Sequence, residues 1–263
     1  MTAGGPKKQF LSAIVIAQDE EGNIERCLSS LGFCDEIVVV DGGSKDRTPD
    51  IARAMGAKVL EHPFDNMNAQ KDRARKAARG EWVFNLDADE VVPGSLAIEI
   101  RETIKGSDPE IGGFLVPRKT LLNGKWLRWG GYYPDRQLRL VRKERARWDE
   151  RYDPHDKVVL QGSVRKLKNP MLHYAARDMD YLKKRAQRYG LKAAVSMHER
   201  GVECNFLTPA LHSAARFLKS FFLKGGMLMG GRGLTLAGYQ AYEVLVKYKG
   251  LAELNKNGRA GRI

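Results

Sequence analysis

Ile37-Val38-Val39-Val40-Asp41-Gly42-Gly43-Ser44-Lys45-Asp46-Arg47-Thr48-Pro49 passes from a continuous β-branched run through a glycine turn to a helix start. Four adjacent β-branched residues read as a strand buried on both faces, the pattern of a parallel sheet. Thr48 suits an N-cap, Pro49 the first helical position and Gly56 the helix end. Towards the N-terminus, Leu11-Ser12-Ala13-Ile14-Val15-Ile16 is a second buried strand, and Ile24, Cys27, Leu28 and Leu31 then recur on one helical face. Towards the C-terminus, Lys58-Val59-Leu60 is a short strand, residues 67–78 an Ala-rich helix closed by Gly80, and Trp82-Val83-Phe84-Asn85-Leu86 a fourth strand. Four strands alternating with three helices predict an α/β fold with a doubly wound, mostly parallel sheet. A helix carrying Leu96, Ile100 and Ile104 follows. Residues 112–162 read as short strands and long loops, and from about Asp178 the pattern is helical to the end.

With 263 residues, 43% hydrophobic and 29% charged, the chain suits one large α/β domain or two small ones. No apolar run reaches the roughly 18 to 20 residues that cross a bilayer, and Met1–Lys8 lacks the apolar stretch of a signal peptide, so a cytoplasmic location is expected. Cys27, Cys34 and Cys204 show neither paired metal spacing nor a CxxC motif and are expected as reduced thiols in or near the core. Residues 1–100 carry 12 Lys and Arg against 17 Asp and Glu, whereas residues 101–263 carry 33 against 15. A uniformly basic nucleic-acid binder does not divide this way, and no helix-turn-helix, zinc or RNP-like pattern occurs. An acidic half suited to metal or sugar hydroxyls, joined to a basic half suited to phosphates or an anionic membrane, accounts for the asymmetry.

In a doubly wound sheet ligands bind beyond the carboxyl ends of the strands, which points to Ala17–Glu21, Asp41–Asp46 and Asp87–Glu90. Strand alternation sends Asp87 and Asp89 to one side. Two carboxylates sharing a small space suit Mg²⁺ or Mn²⁺, whose remaining positions take phosphate and water; a capping turn is the alternative. Asp41, after its apolar strand, can accept hydrogen bonds from a base or ribose, or simply cap its own loop. The absence of GxGxxG and of a P-loop weighs against hydride transfer and nucleoside-triphosphate hydrolysis. Lys71 shares a helical face with Met67, Ala74 and Ala78, so it reaches either to a phosphate or along apolar surface to water. Arg136 and Arg139 suit phosphate or carboxylate recognition, or ion pairs with Asp135 or Glu144.

Leu11–Asp19 with Glu20-Glu21, Val38–Thr48, Gln70-Lys71, Gly80-Glu81-Trp82 and Leu86-Asp87-Ala88-Asp89-Glu90, in this order and spacing, resemble family 2 glycosyltransferases of the GT-A fold. Tyr133–Leu140, Pro154-His155-Asp156 and Leu172-His173-Tyr174 extend the resemblance to the bacterial branch of lipopolysaccharide core biosynthesis glycosyltransferases. That branch usually has Thr-Lys-Asn-Glu-Glu where this chain has Ala17-Gln18-Asp19-Glu20-Glu21, and Glu where it has Asp156. The resemblance implies a GT-A domain over residues 1–175, with a nucleotide-sugar half at about 8–110 and an acceptor half at 111–175, followed by a basic helical extension, 176–263. It implies inverting, metal-dependent transfer of a hexose from a nucleotide sugar, UDP-linked, to a glycolipid or lipopolysaccharide core acceptor at the inner membrane face. A polyprenyl phosphate or a soluble glycan is the other acceptor class. Ala17, Asp19, Glu21, Asp41, Gly43, Lys71, Asp87, Arg136 and Arg139 would bind nucleotide or substrate, Asp89 the Mg²⁺ or Mn²⁺, and Asp156 would be the base. His155 orients its loop on this reading, and His173 packs or supports.

In the C-terminal stretch, Leu211, Ala214, Ala215, Leu218, Phe221 and Phe222 share a helical face flanked by Arg216, Lys219 and Lys224. A basic amphipathic helix of this kind suits peripheral contact with an anionic membrane, or packing on the catalytic domain.

Overall fold

The computed structural model of the chain describes residues 9–150, 158–176 and 179–260. The first half alternates strictly: β1 (Leu11–Ala17), α1 (Ile24–Ser29), β2 (Glu36–Asp41), α2 (Thr48–Ala54), β3 (Lys58–Glu61), α3 (Met67–Ala77) and β4 (Trp82–Asp87). Helix α2 begins at Thr48 itself, and the Asp46 carboxylate accepts the Thr48 N–H at 2.9 Å. There follow β5 (Glu90–Val91), α4 (Gly94–Lys105), the twelve-residue β6 (Ile111–Leu122), β7 (Lys125–Trp126), β8 (Asp135–Arg142), β9 (Ala146–Trp148), β10 (Val158–Leu160), β11 (Ser163–Lys166) and β12 (Met171–Ala176). Helices α5 (Met179–Glu199), α6 (Thr208–Leu218) and α7 (Gly231–Ala260) complete the described chain.

Strands β3, β2, β1 and β4 are parallel neighbours in that order, and β8 and β6 continue the sheet antiparallel. The central strands are mainly apolar because both of their faces are covered, with Ser12 and Asn85 as buried polar exceptions. Leu11, Ala13 and Val15 of β1 pack with Ile24, Cys27 and Leu28 of α1 and Leu96, Ile100 and Ile104 of α4. Ile14, with Val38, Val40 and Val83, packs on the opposite face against Ala74 and Ala78. The chain moves outward from β1 to β3 and returns on the other side of β1 as β4, so the strand order reverses there and opens a crevice at the carboxyl ends. Register keeps those ends level: Ala17 lies beside Asp41 and Ile16 beside Asp87. Gly80 lets the chain enter β4 closely, since a Cβ there would meet Ser12 N at 2.6 Å.

The chain divides into two compact units. The sheet and its helices, up to Lys119 and again over Asp135–His173, form one. Thr120–Pro134 and the chain from Tyr174 onward form the other. In this second unit β6 and β7 close a hairpin through Asn123-Gly124, both at positive φ, a turn suited to strand twist. Residues 120–134 belong with the helices: the Gly130 carbonyl accepts from Ser220 Oγ and Gln240 Nε2, each at 3.1 Å, and Gly130 N–H donates to the Lys224 carbonyl at 2.8 Å.

Candidate active site

The loops after β1 and β2 are laced to each other. Asp41 is buried, and its carboxylate accepts the Gly43 and Ser44 N–H groups at 3.0 Å each and Ser44 Oγ at 2.5 Å. It holds its own turn, in which Gly43 adopts φ +88°, a conformation natural to glycine. The Ala17 carbonyl accepts Gly42 N–H at 2.8 Å, Asp19 N–H donates to Ser44 Oγ at 2.9 Å, and the Asp19 carboxylate accepts Lys45 N–H at 2.7 Å. Glu21 accepts Arg47 N–H at 3.2 Å. Ala17, Asp19, Glu21, Asp41 and Gly43 therefore form one hydrogen-bonded rim at the carboxyl end of the sheet.

Strand β4 ends at Asp87, and residues 88–89 form a turn, so alternation stops there and the two aspartates face different partners. Lys71, fully buried on α3, places its ammonium 3.0 Å from Asp87 Oδ1. Burial excludes the solvated ammonium that its helical position also allowed. Arg139 Nη2 donates to Asp87 Oδ2 at 2.7 Å and to Glu90 Oε1 at 2.6 Å. Arg139 reaches both because the β6–β8 register jumps between Phe114–Leu140 and Leu115–Leu138, a bulge that re-aims the residue between. Arg118 binds Glu90 at 3.2 Å and Asp135 at 2.6 Å, while Glu144 lies 3.9 Å from the Lys143 ammonium. Arg136 is exposed on β8. Glu90, fully buried, also accepts Asp87 N–H at 3.0 Å and thereby closes the 87–90 turn.

Electrostatics follow from these contacts. Burial would raise Asp87, but the adjacent charges of Arg139 and Lys71 outweigh it and hold its carboxyl well below the ordinary range. Burial dominates at Glu90 and pushes it up.

Asp89 has a different environment. Strand β12 pairs with β5 so that His173 lies opposite Glu90, and His173 Nε2 comes 3.2 Å from Asp89 Oδ2. Asp89 Oδ1 is buried without a hydrogen-bond partner among the described residues, as is His173 Nδ1. A carboxylate with an orphaned oxygen beside an imidazole matches the donors Mn²⁺ takes, and Mg²⁺ requires only one or two carboxylates when phosphates complete its shell. Among the described residues, no three His, Cys, Asp or Glu side chains form a closed cage. The sequence alone suggested a supporting role for His173; its proximity to Asp89 depends on a pairing between β12 and β5 that no local pattern discloses. Asp156 and His155 lie outside the described residues.

Residues 12–151, more than half of the chain, match Glycosyl transferase family 2. The lipopolysaccharide core biosynthesis glycosyltransferase LpsC of Rhizobium meliloti (strain 1021) is 30% identical over 226 residues, covering 82% of this chain and 82% of that protein. The uncharacterized glycosyltransferase RT0209 of Rickettsia typhi is 27% identical over 260 residues, covering 95% of this chain and 89% of that one. Mannosyltransferase PcManGT from Pyrobaculum calidifontis, solved in complex with GDP-Man and Mn²⁺, shares the fold with a TM-score of 0.56 at 17% identity, covering 95% of this chain and 90% of that chain. The sheet order, the crevice at its carboxyl edge and these matches agree: the chain is a GT-A-fold member of glycosyltransferase family 2, homologous to a lipopolysaccharide core biosynthesis enzyme.

Proposed function

We propose that this glycosyltransferase moves a hexose, with inversion, from a UDP-linked sugar to a glycolipid or lipopolysaccharide core acceptor at the inner membrane face. The observation that carries the reading is Asp89 at the carboxyl edge of the sheet, its Oδ1 orphaned and His173 Nε2 beside it. Asp89 and His173 would hold Mg²⁺ or Mn²⁺. The bound cation would supply charge neutralisation for the leaving diphosphate.

The remaining roles are assigned as part of the same proposal. The rim of Ala17, Asp19, Glu21, Asp41 and Gly43 receives the nucleoside end, with Asp41 keeping the turn in shape. Asp87, kept ionised by Lys71 and Arg139, accepts hydrogen bonds from ribose or sugar hydroxyls. Exposed Arg136 faces the anionic part of donor or acceptor. An acceptor hydroxyl oxygen bonds to the anomeric carbon as the bond to the diphosphate breaks, through an oxocarbenium-like transition state. Asp156 takes the hydroxyl proton, and the nucleoside diphosphate leaves with the bonding pair.

The test incubates the full chain and Asp89→Ala with a panel of nucleotide sugars and a detergent-dispersed glycolipid acceptor, following nucleoside diphosphate release and the mass of the lipid. A hexose increment on the lipid, present with Mn²⁺ or Mg²⁺ and lost with EDTA and in the variant, is the expected result. Transfer that survives both would remove Asp89 from the reading.

A further inference from the structure

Residues 204–242 contain no Asp or Glu, while Lys219, Lys224 and Arg232 are exposed within them. The same stretch carries exposed apolar side chains: Leu211 is 64% exposed, Leu223 83% and Leu228 65%. At about 100° per residue, Leu211 and Leu218 of α6 and the capping Leu207 before it fall within about 40° of arc. The opposite side of α6 meets α7, where His212 stacks on Tyr248 at 4.4 Å and Ser213 Oγ donates to the Ala241 carbonyl at 2.8 Å. The leucine stripe therefore points away from its own unit. Beyond α6 a π-helical turn, Lys219–Leu223, and a 3₁₀ turn, Gly226–Met229, meet at Gly225, at φ 69°. This bend projects Leu223 and Leu228 outward with Lys224 between them.

We propose that this surface, the α6 stripe with the Leu223–Leu228 turns, docks on an anionic bilayer, its leucines entering the headgroup boundary and its lysines and arginine lying on lipid phosphates. The inference deepens the lipid-acceptor reading and rests on it. Charge selects the occupant: a second copy of this chain would bring the same acid-free cationic face, and residues 101–263 carry 33 basic against 15 acidic residues, so like charges would oppose self-association. An exposed apolar face whose own stretch carries cations and no carboxylate is complementary to anionic lipid. Among the described residues no helix is long and apolar enough to cross the bilayer, so the contact is interfacial.

The test is co-sedimentation of the full chain with vesicles of phosphatidylcholine alone and of phosphatidylcholine mixed with phosphatidylglycerol, with no glycolipid present. Binding to the mixed vesicles is expected at least about tenfold tighter, and Lys219→Gln/Arg232→Gln should weaken it about 25-fold, near fivefold per charge. Leu223→Ser/Leu228→Ser, at exposed positions that leave the fold intact, should weaken it at least about tenfold. Equal binding to both vesicles, or no loss in the leucine variant, overturns the proposal. So does a mass that doubles in solution and reverts to monomer in the leucine variant, since a second copy would then cover the face. Transfer to detergent-dispersed acceptor is scored separately: docking that fails while transfer persists refutes this surface and leaves the catalytic reading standing.

Discussion

Replacing Arg139 by Met removes a guanidinium nitrogen that touches Asp87 at 2.7 Å and Glu90 at 2.6 Å, while conserving much of the side-chain volume. Removing one partner of a buried ion pair typically costs about 3–5 kcal/mol, because the other charge stays buried without compensation. Two contacts temper the loss here. Lys71 remains 3.0 Å from Asp87, and Arg118 remains 3.2 Å from Glu90. The lower end, about 3 kcal/mol, is therefore expected, or on the order of 6–12 °C in melting temperature. Thermal unfolding followed by tryptophan fluorescence and circular dichroism measures it. Most of the cost should come from Glu90, which is fully buried, so Arg139→Met/Glu90→Gln should recover about half of the loss, whereas Asp87→Asn in the same background should recover less. A loss below about 1 kcal/mol, or equal recovery by the two second substitutions, would refute the assignment of Arg139 as the cation that holds the 87–90 turn.

Two further outcomes concern the scaffold. Glu36 accepts Ser12 Oγ at 2.7 Å and Arg79 N–H at 2.8 Å; burial opposes its ionisation, but these bonds and the Arg79 guanidinium win and lower its carboxyl below the ordinary value. A depressed folded pKa gives stability present above the unfolded value, near 4.3, and lost as pH falls through the folded one, so Glu36→Gln should cost about 1–2 kcal/mol at pH 7 and progressively less below pH 4. A pH-independent difference in urea midpoints would contradict this. Cys27 is fully buried and its thiol is pushed well up by burial, and burial pushes Cys34 up to about 12, so the native chain at pH 8 should titrate with a disulfide reagent short of the three thiols released on unfolding. Three fast thiols in the native chain would place Cys27 outside the core.

The parallel half of the fold is legible in the sequence because burial on both faces writes itself as largely apolar runs, at Leu11–Ile16, Val38–Val40 and Trp82–Leu86, interrupted only by Ser12 and Asn85. The candidate loops are legible for the same reason: once the strand ends are placed, Ala17, Asp41 and Asp87 mark the ligand edge. What surrounds each carboxylate is not. Lys71 reaches Asp87 from α3, Arg139 depends on a bulge in β8, and His173 reaches Asp89 through β12–β5 pairing across more than eighty residues of chain. Such partners are set by register between distant strands, on which local periodicity is silent. The assignment of Thr120–Pro134 to the helical unit is invisible likewise, because it rests on Gly130 carbonyl contacts with Ser220 and Gln240.

Metal-dependent donor binding is measured directly by calorimetry of nucleoside diphosphates and nucleotide sugars with the full chain, Asp89→Ala and His173→Ala, in Mn²⁺, Mg²⁺ or EDTA. The proposed donor site predicts that one nucleotide binds only with metal, that binding is lost in Asp89→Ala, and that His173→Ala weakens it by tenfold or more. Nucleotide binding that is equal in EDTA and unchanged in both variants would contradict it.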